Sequence, residues 1–130
     1  MICGPGLALL LSMPERDLKK RTKAFGVTIV RFVRTLPFDV GTHHVAGQLA
    51  RAATAVGSNY RASCRAKSNA DFISKMAWVE EEADESQFWL EVLVDTETVA
   101  LNQVATFIDE ADQLVRIAVA SINTARGRSR

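Results

Sequence analysis

Residues 68–98 read SNADFISKMAWVEEEADESQFWLEVLVDTET. Within them Phe72, Met76, Val79, Ala83, Ser86, Leu90 and Leu93 recur at alternating steps of four and three residues, without a break. That spacing holds one stripe along an α-helix, whereas a strand would repeat every second residue. Ser68 is a favoured N-cap type, and Asp71 three positions on gives a variant of the capping box. The stretch therefore predicts a helix capped by Ser68 and ending near Thr98.

The same spacing extends outward in both directions. Leu18, Thr22, Phe25, Ile29, Phe32 and Leu36 predict a helix over 14–36. Pro14 suits its first turn, and Pro37 ends it because the residue before a proline avoids helical angles. A second helix is predicted over 42–66, with the stripe Ala46, Ala50, Ala53, Gly57, Tyr60 and Cys64. Such small side chains let a neighbour come toward the near end of the usual 8–10 Å interaxial range. A glycine inside a helix costs about 1 kcal/mol relative to alanine, so Gly57 reads as a tight crossing. Beyond the quoted stretch, Val104, Ile108, Ala111, Val115, Ala118 and Ile122 predict a last helix capped by Asn102. Four helices with short connections and no strand pattern give an all-α fold, an antiparallel up-down-up-down four-helix bundle over 14–126. Residues 1–13 read as a flexible leader and 127–130 as a basic tail.

Composition excludes whole classes. At 130 residues, 48% hydrophobic and 24% charged, the chain suits one globular domain and not a disordered or collagen-like one. No apolar run approaches the roughly 20 residues that span a bilayer. The apolar stretch Leu7–Leu11 falls short of the roughly 7–15 residues of a signal-peptide core, and no positive charge precedes it. Cys3 and Cys64 are too few for a disulfide framework, so a reducing, cytoplasmic setting is expected.

Charge is unevenly distributed. Residues 1–75 hold 12 Lys/Arg and 4 Asp/Glu, a surplus of 8 positive charges. Residues 76–130 hold 4 Lys/Arg and 11 Asp/Glu, a surplus of 7 negative charges. Either antiparallel helices neutralise one another, or the molecule shows one basic and one acidic surface. Arg16, Lys19, Lys20, Arg21 and Lys23 crowd the start of the first helix, where cations oppose the helix dipole. With Arg31, Arg34, Arg51, Arg61 and Arg65 they form a candidate set for phosphate contact with RNA or DNA. No aromatic residues interleave there in the manner of base-stacking platforms.

The helix of residues 68–98 carries a second stripe: Asp71, Lys75, Trp78, Glu82, Glu85 and Trp89. At 100° per residue, Trp78 and Trp89 fall about 120° and 100° to one side of Phe72. Two readings fit equally. In one, tryptophans cover the bundle edge and the carboxylates stay wet. In the other, this is a helix–helix or subunit contact, with carboxylates meeting Arg51, Arg61 or Arg65 and tryptophans filling pockets. Asn59 is expected to bond toward the third helix or a backbone carbonyl, unless it is partly exposed.

Chemistry-bearing patterns are sparse. Di-iron bundles need Glu-x-x-His on two helices, and the histidines here, His43 and His44, are adjacent and point about 100° apart. Cys64 lacks a CxxC partner, and no glycine-rich phosphate loop occurs. A metal or redox enzyme built on Glu82, Glu85 or Cys64 is the weakest class, and no metal, cofactor or small-molecule substrate is expected.

The run Gln48-Leu49-x-Arg51, then Thr54-x-Val56-Gly57-Ser58-Asn59-Tyr60-Arg61, resembles the signature of the 23S rRNA-intervening-sequence protein family. It continues as Ala66-x-Ser68-x-x-Asp71-Phe72-Ile73-x-Lys75-Met76 and Glu82-Ala83-x-Glu85-Ser86-x-Phe88-Trp89-Leu90-Glu91. The likeness spans about 18–114 and is most specific over 48–93. Ala55, Ala62 and Ser63 depart from the Ser, Glu and Ala usual in the family. The resemblance implies an antiparallel four-helix bundle that assembles as a homopentamer, generally without an assigned activity. A similar bundle serves as the accessory protein of diversity-generating retroelements, associating with a reverse transcriptase and nucleic acid. The expectation is thus a non-enzymatic homo-oligomer contacting nucleic acid or a nucleic-acid-processing protein, with Trp78 and Trp89 at the subunit contact. The alternative is a protein–protein assembly or adaptor module without a nucleic-acid role.

Overall fold

A computed structural model describes residues 15–127 of the chain; the predicted leader and most of the basic tail lie outside the described residues. Four helices follow in order: α1 (Glu15–Val33), α2 (Val40–Ser63), α3 (Asn69–Asp95) and α4 (Leu101–Ala125). Each packs on its sequence neighbour, while α1 and α4 meet only sparsely. Direction is read from the contacts. Gly26 stands against Ala53 and Thr54, whereas Gly57 stands against Thr22 and Lys23, so α2 runs against α1. Trp89 meets His44 and Glu82 meets Arg51, so α3 runs against α2. The Asn69 side chain donates to the Ala125 carbonyl at the opposite end of α4.

The predicted stripes form the core. Phe25, Ile29, Ala53, Met76, Val79, Ala83, Leu90, Leu93, Val104, Ala111, Ala118 and Ile122 are all buried. Thr22 and Ser86 are buried too, and each returns its hydroxyl proton to a carbonyl one turn back, Leu18 and Glu82. Burial on α2 departs from its predicted stripe: Leu49, Ala52 and Val56 are buried, whereas Ala46, Ala50 and Cys64 are only partly so.

Helix ends depart from expectation by a turn or less, each for a local reason. Helix α1 stops at Val33, not Leu36; Leu36 N–H bonds back to the Val33 carbonyl in a tighter turn ahead of Pro37. Helix α2 starts two residues early because Asp39 is its cap, accepting from Thr42 N–H at 2.9 Å and the Thr42 hydroxyl at 3.0 Å. It ends at Ser63, not Ala66, as Arg65 and Ala66 bond to carbonyls three residues back. Ser68 caps α3 as predicted, accepting from Asp71 N–H at 3.0 Å. Helix α3 ends at Asp95, not Thr98. Thr98 N–H returns to the Leu93 carbonyl and Glu97 N–H to Val94, a Schellman closure with Glu97 at φ 61°. Asn102 is not the cap of α4. It lies inside the first turn, and Gln103 instead accepts from Ala100 N–H at 2.7 Å.

Gly26 and Gly57 mark a close approach between α1 and α2. A Cβ on Gly57 would sit 3.2 Å from the Thr22 carbonyl oxygen and 3.3 Å from Lys23 Cα. A Cβ on Gly26 would sit 3.2 Å from Thr54 Cα and 3.3 Å from the Ala53 carbonyl oxygen. The obstructing atoms are backbone in every case and have no rotamer with which to yield. Gly57→Ala is therefore expected to destabilise by about 1–3 kcal/mol, although alanine favours a helix by about 1 kcal/mol. Chemical denaturation checks this; a variant as stable as the parent or more so would mean the helices do not touch there.

Candidate nucleic-acid interface

The predicted cations separate into two groups. Arg21 and Arg51 are engaged inside the chain. The Arg21 Nε and Nη2 donate to the two carboxylate oxygens of Glu110 at 2.7 Å each, and Nη2 also donates to Gln113. This fork closes the sparse α1–α4 seam, together with an edge-to-face contact of Phe32 on Phe107 at 5.2 Å. Arg51 reaches from α2 to α3, donating to Glu85 at 2.5 Å and to Glu82 at 3.3 Å. Both pairs join the basic to the acidic half of the sequence.

The remaining cations lie on the outer side of α1 and α2. Lys23, Arg31, Arg34 and Arg61 line one open groove of about 500 Å³ whose lining residues include no carboxylate. Gly26 and Gly57 line it where α1 meets α2, and Val27 and Val30 add apolar lining. Val27 is exposed there, a feature the α1 stripe does not announce. Lys19, Lys20 and Arg65 are exposed outside the groove, and Arg65 donates to the Arg61 carbonyl at 3.3 Å. Arg16 falls within α1, but its side chain lies outside the described residues. Sequence spacing alone did not single out these four cations. The two glycines were the available signal, since they bring α1 and α2 together at that level.

The resemblance-bearing residues divide by role. Asp71 accepts from Lys67 N–H at 3.1 Å and from the Lys75 ammonium, so Asp71 and Lys75 secure the start of α3. Lys75 first, then the Lys67 N–H, holds the Asp71 carboxyl below the ordinary carboxylate range. Gly57 and Tyr60 are buried, and Gln48 and Phe72 are partly buried. Asn59 is half-buried and its side chain makes no hydrogen bond among the described residues, so the expected cross-helix bond is replaced by partial exposure.

The Trp78/Trp89 stripe combines both of its readings. Glu82 is buried and faces Arg51, as the contact reading required, but within one chain. Trp89 is half-buried, and its indole N–H donates to Glu85 at 3.1 Å. Its ring packs edge-on with Phe88 at 4.9 Å and His44 at 5.8 Å. Trp78 is different: it is 54% exposed, and Phe88, which the stripe did not include, is 52% exposed. Among the described residues no three His, Cys, Asp or Glu side chains converge on a position that could hold a metal. No helix there is long and apolar enough to cross a membrane.

The hydrogen bond from the Trp89 indole, chiefly, holds the Glu85 carboxyl below its ordinary value; burial opposes it, and Arg51 adds a lesser lowering. Arg51 is in turn raised, by Glu85 first and then Glu82. A depressed folded-state carboxyl adds stability above the unfolded carboxylate range and loses it as pH falls through the folded value. Glu85→Gln is therefore expected to flatten the acid limb of stability below about pH 4.5, at a cost of less than about 1 kcal/mol at neutral pH. Arg51→Ala leaves the buried Glu82 carboxylate without its cation and is expected to cost more, about 1–3 kcal/mol. Denaturation midpoints across pH check both; equal losses for the two variants would contradict this ordering.

Comparison with known proteins agrees with this architecture. The model of the family described as 23S rRNA-intervening sequence protein matches residues 15–120. Among solved structures, a protein of unknown function from the S23 ribosomal protein family of Bacteroides thetaiotaomicron VPI-5482 is similar. It shares 28% identity and a TM-score of 0.76, over 85% of this chain and 99% of that one. No curated protein matches the chain. With four helices in the expected order and a match that runs from the first of them almost to the end of the last, the chain belongs to the 23S rRNA-intervening sequence protein family.

Proposed function

We propose that the protein is a non-enzymatic homo-oligomer, pentameric as its family resemblance implies, that contacts RNA or DNA through the basic residues of α1 and α2. The observation that carries this reading is the groove of Lys23, Arg31, Arg34 and Arg61, cations that share one trough without a lining carboxylate. Internal pairing takes up Arg21 and Arg51, so those two hold the bundle together and leave phosphate contact to Lys23, Arg31, Arg34 and Arg61. Lys19, Lys20, Arg65 and, in sequence, Arg16 extend the same positive flank. Charge of one sign gathered on one face attracts polyanions and makes their binding salt-dependent.

Trp78 and Phe88 favour the oligomer. Two aromatic rings, each more than half exposed on α3, are more apolar surface than a monomer keeps without use. They also support the second reading, a protein–protein assembly module, should the groove bind no nucleic acid. The α3 contact and the α1/α2 groove are on different helices, so one molecule has room for both.

Absolute mass in solution by light scattering is expected to be a multiple of 14.3 kDa, five-fold for the pentamer, and to fall for Trp78→Ala. A monomer at working concentration, or an unchanged mass for the variant, contradicts the α3 contact. In gel shift, nucleic acid is expected to be retarded near about 50 mM salt and released as salt rises. No retardation at that salt leaves the assembly module as the surviving reading.

A further inference from the structure

We infer that the α1/α2 groove takes a single strand of nucleic acid, held by its phosphates, and discriminates against duplex. This rests on the nucleic-acid reading above and narrows its ligand.

The first observation is the layout of the cations. Along α1, Lys23 and Arg31 are separated by roughly 12 Å, and Arg31 and Arg34 by about 4.5 Å, at 1.5 Å per residue. Gly57 stands level with Thr22 and Lys23, and α2 runs the other way. Arg61, one turn beyond Gly57, therefore lies about 6 Å past Lys23 toward the start of α1. Measured along the helix axes, the four charges, three on α1 and one on α2, span roughly 23 Å, enough to track the backbone of a few nucleotides.

The second observation is that these charges line a recess. A duplex is read by a helix or ribbon that protrudes into a groove about 12 Å wide. Here α1 and α2 are joined backbone to backbone at Gly26 and Gly57, so neither helix is free to enter one. The third is the apolar lining. Val27 and Val30 lie between the cations. Apolar lining suits base faces, which a single strand offers and a duplex keeps stacked inside. The groove holds no aromatic ring, so recognition is by backbone and neutral to sequence.

The test uses the full chain and three labelled probes of equal length and mixed sequence: an RNA strand, a DNA strand and their duplex counterpart, read by fluorescence anisotropy. One or both single strands are expected to bind severalfold tighter than duplex. Four phosphate contacts give a slope of log affinity on log salt near −3, or about a fifty-fold loss between about 50 and 200 mM salt. Lys23→Gln, an exposed position, is expected to reduce that slope by about 0.7, while Arg116→Gln on α4 leaves it unchanged. Duplex binding as tight as single-strand binding overturns this inference and keeps the polyanion reading. Binding with an unaltered slope in Lys23→Gln also overturns it, by placing the strand elsewhere. No binding of any probe at about 50 mM salt overturns both.

Discussion

The structure depends on how closely α1 and α2 approach. Gly26 and Gly57 lie about one turn apart along that seam, and each leaves room for the partner's backbone and for nothing larger. Two glycines inside helices sacrifice roughly 1 kcal/mol each of helix propensity, and close packing offsets it through dispersion contacts along the seam. The same approach decides what the outer surface looks like. Because the helices touch by backbone, the long side chains that flank the glycines rise as walls on either side. Packing on the inside and a cationic trough on the outside are two consequences of one constraint.

Electrostatics divides along similar lines. The sequence segregates its charge so strongly that either internal neutralisation or two opposed surfaces would be consistent with it. The molecule does both, in different places. Arg21 reaches Glu110 across the one seam with few other contacts, and Arg51 crosses from α2 to the buried Glu82. A buried carboxylate with a facing cation specifies register more than it adds stability, since desolvation offsets much of the attraction. Lys23, Arg31, Arg34 and Arg61 line the groove between α1 and α2, which has no carboxylate in its lining. That unneutralised remainder is what a polyanion would meet.

Much of this was legible in the residues, and what was not has physical causes. The 4-3 spacing named most of the core of α1 and α3, because burial on a helix face is periodic and local, but it missed Leu49 and Val56 on α2 and Leu114 and Ile117 on α4. Ser68 announced the start of α3 by its type and by Asp71 behind it. The other ends were less readable. Asp39 is as good a cap as Ser68, but Val40 and Gly41 after it mask the helix onset, and the first periodic position comes later. Glu97 adopts a left-handed conformation that usually selects glycine, so nothing in its side chain marked the end of α3. At the site, periodicity gave the angle of Trp78 and Trp89 but not their different fates. Trp89 is shielded by His44 and Phe88 and tied to Glu85, whereas Trp78 is left open. Sequence likewise listed ten cations as one set. Only tertiary packing separates the pair that closes seams from the four that share a trough.

The close seam is the claim on which the groove, the cation layout and the small-residue pattern of α2 all rest. Proton nuclear Overhauser spectroscopy on the unmodified protein measures it without perturbing it. Gly57 and Lys23 are close enough, with 3.3 Å between an ideal Gly57 Cβ position and Lys23 Cα, for their Hα protons to give a strong cross-peak. Gly26 and Thr54 give a second. Both cross-peaks, strong and of similar intensity, are the predicted result. Assigned resonances with neither cross-peak would mean that α1 stands away from α2, and the trough between them would not exist in this form.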